Sequence, residues 1–313
     1  MPRPFLVVNP RSAAGATGRH FDDIAAAVRG AIGDHDHAFT ARPLHAAELT
    51  RAALRAGADL IIAAGGDGTI NEVVNGFFEE PVPGQPDQPI RPGAALAVVP
   101  RGTGGDLRRT IGLDGDLLKS AARLKGTRRP IDVGRCDFTA EDGQTRSRYF
   151  INVADAGVGA EVVRIANQSS KVLGGQLTFT LASLRALFGW SDLPMKASID
   201  GGPADERHVT TFSIANGRYF GGGMMVAPEA KLDDGLFHVT VWTGFGVLDF
   251  ARYGGQLRDG THVKLKGTRT SSGKTVRLEP GAGKPAGVEL DGELVGRLPA
   301  TFTLLPGAIE LLS

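Results

Sequence analysis

A run of glycines interrupted by one acid, Gly65-Gly66-Asp67-Gly68-Thr69, carries the first recognisable chemistry of this chain. It follows the apolar run Asp59 to Ala64 and precedes a helical pattern, and a ligand binds at such a junction in an open α/β sheet. Glycines let backbone N–H groups come close to phosphate oxygens, and the helix N-terminus favours the negative charge. Thr69 can cap that helix or touch a phosphate, while Asp67 among phosphates needs a cation to hold or a proton to accept. The competing reading is a tight strand-to-helix turn with a solvated acid. Two more loops end strands of the same pattern, Asn9-Pro10-Arg11-Ser12-Ala13-Ala14-Gly15 and Gly102-Thr103-Gly104-Gly105-Asp106. The three together predict a nucleotide-phosphate cradle. The chain has no G-x-x-x-x-G-K-[ST], and its first strand is not followed by G-x-G-x-x-G, so neither a P-loop nor an ordinary dinucleotide fold fits.

Further acids stand in the second half. Lys231-Leu232-Asp233-Asp234-Gly235-Leu236 can hold a hard cation through one carboxylate and backbone carbonyls, or be a plain Asp-Gly turn. Leu290-Asp291-Gly292-Glu293-Leu294 reads as a tight hairpin with a carboxylate on each side of its glycine. Asp34-His35-Asp36-His37 lacks a third ligand and reads as a solvated loop. The segment Lys171 to Lys196 encloses Leu173, Leu177, Phe179, Leu181, Leu184, Leu187, Phe188 and Trp190 with Arg185, which suits either a lipid-contacting surface or a core helix.

The elements that must position these residues are legible from periodicity. Phe5 to Val8, His37 to Thr40, Asp59 to Ala64 and Ala94 to Val99 read as strands. Between them Phe21, Ile24, Ala25, Val28 and Ile32, then Leu44 to Ala56, then Ile70, Val73, Val74, Phe77 and Phe78 recur at helical spacing. That alternation predicts a doubly wound parallel sheet. Pro81 to Pro92 reads as a surface loop. Beyond about residue 128 short alternating runs such as Phe237, Val239 and Val241 predict antiparallel strands, with helices near Ala160 to Ala166, Gln176 to Phe188 and Val247 to Leu257. Two domains follow, residues 1–128 and 129–313, with the last strand, about 300–313, a candidate to return to the first.

Composition narrows the class. The chain has 313 residues, 42% hydrophobic and 22% charged, with a formal net charge of +1, which gives no field for nucleic acid. Its single cysteine, Cys136, excludes an internal disulfide and fits a reducing, cytoplasmic setting. No signal peptide and no bilayer-spanning run is seen. Glycine is the outlier at 44 residues, clustered where backbone must approach a ligand.

In family order, Val8-Asn9-Pro10 with Ser12 and Gly15, Gly65 to Asn71, Pro100 to Asp106, Gly157-Val158-Gly159, Ala215-Asn216-Gly217 to Gly223, Pro228 to Leu236 and Asp291-Gly292-Glu293 resemble the diacylglycerol kinase catalytic family, in its soluble bacterial lipid-kinase branch related to sphingosine and ceramide kinases. The resemblance implies an N-terminal doubly wound nucleotide-binding domain similar to NAD kinases and phosphofructokinases, a C-terminal β-sandwich, and a cleft between them. It implies transfer of the ATP γ-phosphoryl group to a hydroxyl of diacylglycerol or a similar lipid, with Mg²⁺. By position, Asn9, Pro10, Arg11, Ser12 and Gly15 would lie near the phosphates, and Thr40, Gly65, Gly66, Asp67, Gly68, Thr69, Ile70, Asn71 and Thr103 would contact ATP. Asp234, with the carbonyls of Lys231 and Leu236, matches a structural Mg²⁺ site. Glu293 matches the proton acceptor with Asp291 beside it, and Asp67 is the second candidate for acid–base or metal work. Gly105 and Arg101 depart from the Asn and Leu common in relatives. Transient membrane contact is expected and a homodimer is left open. An NAD kinase, sharing the Gly-Gly-Asp-Gly loop, and an inactive nucleotide-binding regulator are the rivals.

Overall fold

The computed structural model describes residues 3–102, 104–168 and 175–313. The first part runs β1 (Pro4–Val8), α1 (Ala16–Arg19), α2 (Phe21–Ile32), β2 (Asp36–Phe39), α3 (His45–Arg55), β3 (Leu60–Gly65), α4 (Asp67–Asn75), β4 (Ala95–Pro100), α5 (Asp106–Thr110) and α6 (Leu117–Ala122). β1 pairs in parallel with β2 and β3, and β3 with β4. All six residues of β3 are buried, because a parallel sheet is covered on both faces. Strand alternation sorts its side chains. Ile61 and Ala63 pack with Ala53 and Leu54 of α3 and Val73 and Val74 of α4, whereas Leu60, Ile62 and Ala64 pack with Ile24 and Val28 of α2.

The second part contains β5 (Arg128–Thr139), β6 (Thr145–Phe150), β7 (Val153–Gly157), α7 (Val158–Gln168), α8 (Gly175–Leu187), β8 (Leu193–Ile199), β9 (Asp205–Val209), β10 (Thr211–Ala215) and β11 (Phe237–Trp242). It ends with α9 (Val247–Asp259), β12 (Thr268–Gly273), β13 (Thr275–Pro280), β14 (Gly287–Leu290) and β15 (Glu293–Leu312). Its strands pair antiparallel and enclose a core of Phe150, Phe212, Phe237, Val288, Leu290 and Phe302. Phe150 stacks on Phe237 at 5.5 Å and meets Phe302 edge-on at 6.3 Å, the sandwich layers closing around them.

β15 ties the two parts together. Its start pairs with β14, its middle with β5, and Glu310 and Leu311 pair in parallel with Ala95 and Leu96 of β4. The loop over 81–92 is pinned to the sandwich by Arg135, which donates to the Gln85 and Val82 carbonyls and to Asp87, while Tyr149 Oη donates to Asp87 at 2.6 Å.

Candidate active site

The glycine loops meet backbone to backbone. A Cβ on Gly102 would stand 2.5 Å from the Gly66 Cα, so the turn after β4 can close on the turn after β3 only with glycine there. Gly65 is packed under Thr69, whose hydroxyl accepts from Asn9 Nδ2 at 2.9 Å, and this joins the first loop to the second.

Asp67 begins α4, but its carboxylate is turned toward the third loop. It accepts the amide hydrogens of Gly105 (2.7 Å), Asp106 (3.2 Å) and Leu107 (3.2 Å), and so caps the start of α5. An acid at a helix N-terminus is electrostatically favoured, and three N–H donors satisfy it without a cation. Asp67 thus borders the cavity and also shapes the phosphate loop. Gly105 has φ +67°, a left-handed conformation that glycine adopts without strain.

Not every expected nucleotide contact lines the main cavity; Gly65 and Ile70 instead line a second one of about 230 Å³ that shares Gly66, Asp67 and Gly102 with it. Ile70 is 2% exposed, with its side chain in the core. Asn71 is fully buried; its Nδ2 donates to the Tyr149 carbonyl at 3.0 Å and to Asp291 Oδ2 at 2.7 Å, because the first turn of α4 rotates it toward β6. Thr40 is tucked against β1, its N–H donating to the Val8 carbonyl, and Gly15 (φ +83°) caps α1. Asn9, Ser12, Gly66, Gly68 and Thr69 do line the cavity, whereas Pro10, Arg11, Gly15 and Thr40 are not among its lining residues; Thr103 lies outside the described residues.

The hairpin between β14 and β15 brings the second part to this loop. Asp291 and Gly292 both have positive φ (50° and 86°), the form of a two-residue turn whose twist suits the strands. Asp291 is partly buried, and its two oxygens accept from the amides of Ile151, Asn152 and Val153 and from Asn71. Burial pushes its carboxyl up, opposed by those hydrogen bonds. With hydrogen bonds on both oxygens, Asp291 positions the turn and lines the cavity beside Glu293. Glu293 emerges beside it, half-exposed, with Oε1 3.0 Å from where a Gly68 Cβ would stand. Arg148, which the sequence reading missed, holds it: Nη2 is 3.5 Å from Glu293 Oε2 and 2.8 Å from Asn71 Oδ1.

One cavity of about 440 Å³ joins these parts. Its polar end is lined by Asn9, Ser12, Gly66 to Thr69, Gly102, Gly104 and Asp106; its middle by Asn152, Glu289, Asp291 and Glu293; and its far end by Val158, Val162, Val163, Leu187, Trp242, Phe245 and Phe250. Asp106 is 9% exposed and accepts from the Gly222 amide and Arg109. Burial, then the neighbouring Asp67, lifts its carboxyl to about 6. Sequence analysis quoted Asp106 without a role and missed Glu289, although an acid inside the buried strand Gly-Val-Glu-Leu was a signal.

The expected cation loop is braced by hydrogen bonds. Asp234 Oδ1 accepts the Leu236 amide and Oδ2 meets His238 Nε2 at 2.9 Å, while Asp132 accepts the amides of Gly235 and Gly307. Among the described residues no group of three or more His, Cys, Asp or Glu side chains is set to hold a metal. In this arrangement Asp234 is held by the Leu236 amide and His238.

Comparison with known proteins follows the same two parts. Residues 3–136 match the model of the diacylglycerol kinase catalytic domain, and residues 152–313 match that of the YegS C-terminal NAD kinase beta sandwich-like domain. A diacylglycerol kinase of Bacillus subtilis is 31% identical over 249 residues, 79% of this chain and 75% of that protein. The chain belongs to the diacylglycerol kinase family. Membership makes it a kinase of the lipid-kinase group. A YegS-like protein of Pseudomonas aeruginosa, named a probable lipid kinase, is 29% identical over 85% of this chain and 80% of its own. A crystal structure from Bacillus anthracis, named provisionally as a diacylglycerol kinase, superposes with TM-score 0.75 at 26% identity, covering 99% of this chain and 97% of that one. The NAD kinase of Archaeoglobus fulgidus in complex with ATP shares the fold, with TM-score 0.52 at 14% identity over 99% and 93% of the chains. Among the described residues no helix is long and apolar enough to cross a membrane.

Proposed function

We propose that this kinase transfers the γ-phosphoryl group of ATP to the free hydroxyl of diacylglycerol or a closely similar lipid. The observation that carries this is the cavity running from the glycine loops, past Glu293, to an arm lined by Val158, Val162, Leu187, Trp242 and Phe250. An arm of that lining takes an acyl chain, at about 0.8 kcal/mol per buried CH₂, and offers a polar nucleotide ribose nothing.

Phosphoryl transfer asks for position and charge neutralisation. The amides at the start of α4 and the Gly102 and Gly104 backbone would receive the phosphates. Mg²⁺ arriving with ATP would neutralise phosphate charge; Asp67 and Asp106 are the carboxylates at that end, with Glu293 next to them in the middle of the cavity. Glu293 takes the proton as the substrate oxygen bonds to the γ-phosphorus and the bond to the leaving ADP oxygen breaks. Arg148 keeps Glu293 aimed.

Access from a bilayer is supported by Phe188 and Leu248, 83% and 84% exposed. Their chain neighbours Leu187 and Val247 pack in one cluster with Trp190 and Phe250 at the apolar end of the cavity. Trp190 is half-buried in that cluster, so it braces the surface instead of contacting lipid. Lys171 and Leu173 of the expected lipid segment lie outside the described residues, as do the side chains of Leu177 and Phe179.

The test is transfer of labelled phosphate from ATP to diacylglycerol in mixed micelles, with NAD as a parallel acceptor. Labelled phosphatidic acid without labelled NADP is expected. Preferential labelling of NAD would overturn the substrate.

A further inference from the structure

Glu289 faces the cavity because Val288 and Leu290 on either side of it fill the sandwich core, and strand side chains alternate. It is 4% exposed, and Oε2 accepts the amide hydrogen of Gly292 at 2.7 Å. Among the described residues no donor forms a hydrogen bond to Oε1. The antiparallel register sets Glu289 beside Asp155 of β7, and Asp155 beside Ser213 of β10. Asp155 is fully buried, and no hydrogen bond of ordinary geometry reaches either of its oxygens or the Ser213 hydroxyl.

The charges acting on Glu289 are all of one sign: Asp155 on β7, Asp291 in the turn and Asp106 on α5. On α7, Glu161 and Arg164 pair with each other, and Glu293 pairs with Arg148. Among the described residues no cation is paired with either of these two adjacent buried carboxyls, and a pair so placed must keep at least one proton. Burial first, and then Asp155, holds the Glu289 carboxyl well above its usual range. Burial lifts Asp155 only to about 7, opposed by the nearby Phe212, Ala156 and Gly159 amides and the Thr211 hydroxyl. Of the pair only Glu289 lines the cavity, and since Oε2 accepts from Gly292, the proton it presents there stands on Oε1.

We propose that Glu289 is a specificity-determining residue, a neutral carboxylic acid whose Oε1–H donates a hydrogen bond to an ester carbonyl of the lipid acceptor. This deepens the lipid-kinase reading and rests on it. In an acyl glycerol the ester carbonyl lies a few bonds from the free hydroxyl, so the group reading it must sit close to the base. Glu289 holds Gly292, the residue before Glu293, and meets that requirement. A carboxylic acid kept neutral by an apolar site is a known way to place such a donor.

The experiment compares diacylglycerol with the ether-linked dialkylglycerol of matched chains, which keeps the hydroxyl and lacks the carbonyls. The wild-type protein is expected to favour the ester in kcat/KM by about tenfold or more, since the ether leaves a buried donor unpaired. Glu289→Gln keeps an N–H donor and an acceptor for Gly292 and should retain most of that ratio; Glu289→Met should bring it near unity. In the wild type the ratio should fall as alkaline pH ionises Glu289, and in Glu289→Gln it should not. Binding of both lipids without ATP, read by Trp242 fluorescence in the cavity, should show the same ester preference. If no lipid is phosphorylated but that binding ratio follows Glu289, the kinase reading fails and the assignment stands. A wild-type ratio near unity, a ratio unchanged in Glu289→Met, or an amine-bearing lipid favoured by the wild type and lost in Glu289→Gln would overturn it.

Discussion

Asn71 of the helix after the glycine loop donates a 2.7 Å hydrogen bond to Asp291 of the sandwich hairpin, and the bond joins the nucleotide end of the site to the turn that carries Glu293. Replacing either partner loosens the relation between phosphate loop and base without touching the substrate. Asn71→Ala should therefore lower kcat about tenfold with a smaller change in KM for ATP, and lower stability by about 1–2 kcal/mol by leaving part-buried Asp291 and Arg148 atoms short of partners. Kinetics beside chemical denaturation check this; normal turnover with lowered stability would make the contact purely structural.

Asp67 is expected to act through the loop it caps. Asp67→Asn cannot accept all three amides through charged oxygens and should raise KM for ATP as well as lower kcat, with little change in the Mg²⁺ concentration needed for half-maximal rate. A Mg²⁺ titration of turnover decides. A marked shift in Mg²⁺ requirement would return Asp67 to the role of metal holder.

How much of this was legible in the sequence depends on what fixed each residue. Buried strands beside glycine loops announce themselves through composition, so the doubly wound part, the antiparallel second part and the three converging loops were readable in order, while the β-sandwich came from the family resemblance. Side-chain direction was not. Asn71 and Ile70 belong to the same motif as Gly68, but one helical turn carries them into the core. Asp67 and Asp291 look like reactive acids in one dimension; their amide partners, 38 to 40 and 138 to 140 residues away, hydrogen-bond to their oxygens. Asp155 and Glu289 are 134 positions apart, and only the strand register makes them a pair.

The buried acids predict a pH dependence of stability. The Asp155 carboxyl titrates near 7 against an ordinary 3.8, so the fold holds a proton that the unfolded chain releases. By linkage its contribution is fully present below about pH 4 and is lost as pH rises through 7. Asp155→Asn should remove this loss. The variant should gain on the wild type by on the order of a few kcal/mol between pH 4 and 8, with the difference level above that. Thermal melts across that range test it; parallel curves would show that Asp155 ionises normally.

The exposed pair Phe188 and Leu248 separates surface from core. The double substitution Phe188→Ser, Leu248→Ser should weaken sedimentation with anionic liposomes several-fold and leave ATP binding and Tm within error. Trp190→Ser should lower Tm, because its ring is packed with Ala186 and Leu187. Liposome binding unchanged in the double variant would place membrane contact elsewhere.

The account turns on Glu293 being the base presented across the cleft to the phosphate loop. The measurement that reaches this most directly is the turnover of Glu293→Gln on diacylglycerol at saturating ATP and Mg²⁺, alongside its ATP dissociation constant. Loss of the proton acceptor should cut kcat by about 10²–10⁴ and leave ATP affinity within about twofold of the wild type. Near-normal turnover of Glu293→Gln would contradict the account and hand the proton to another group.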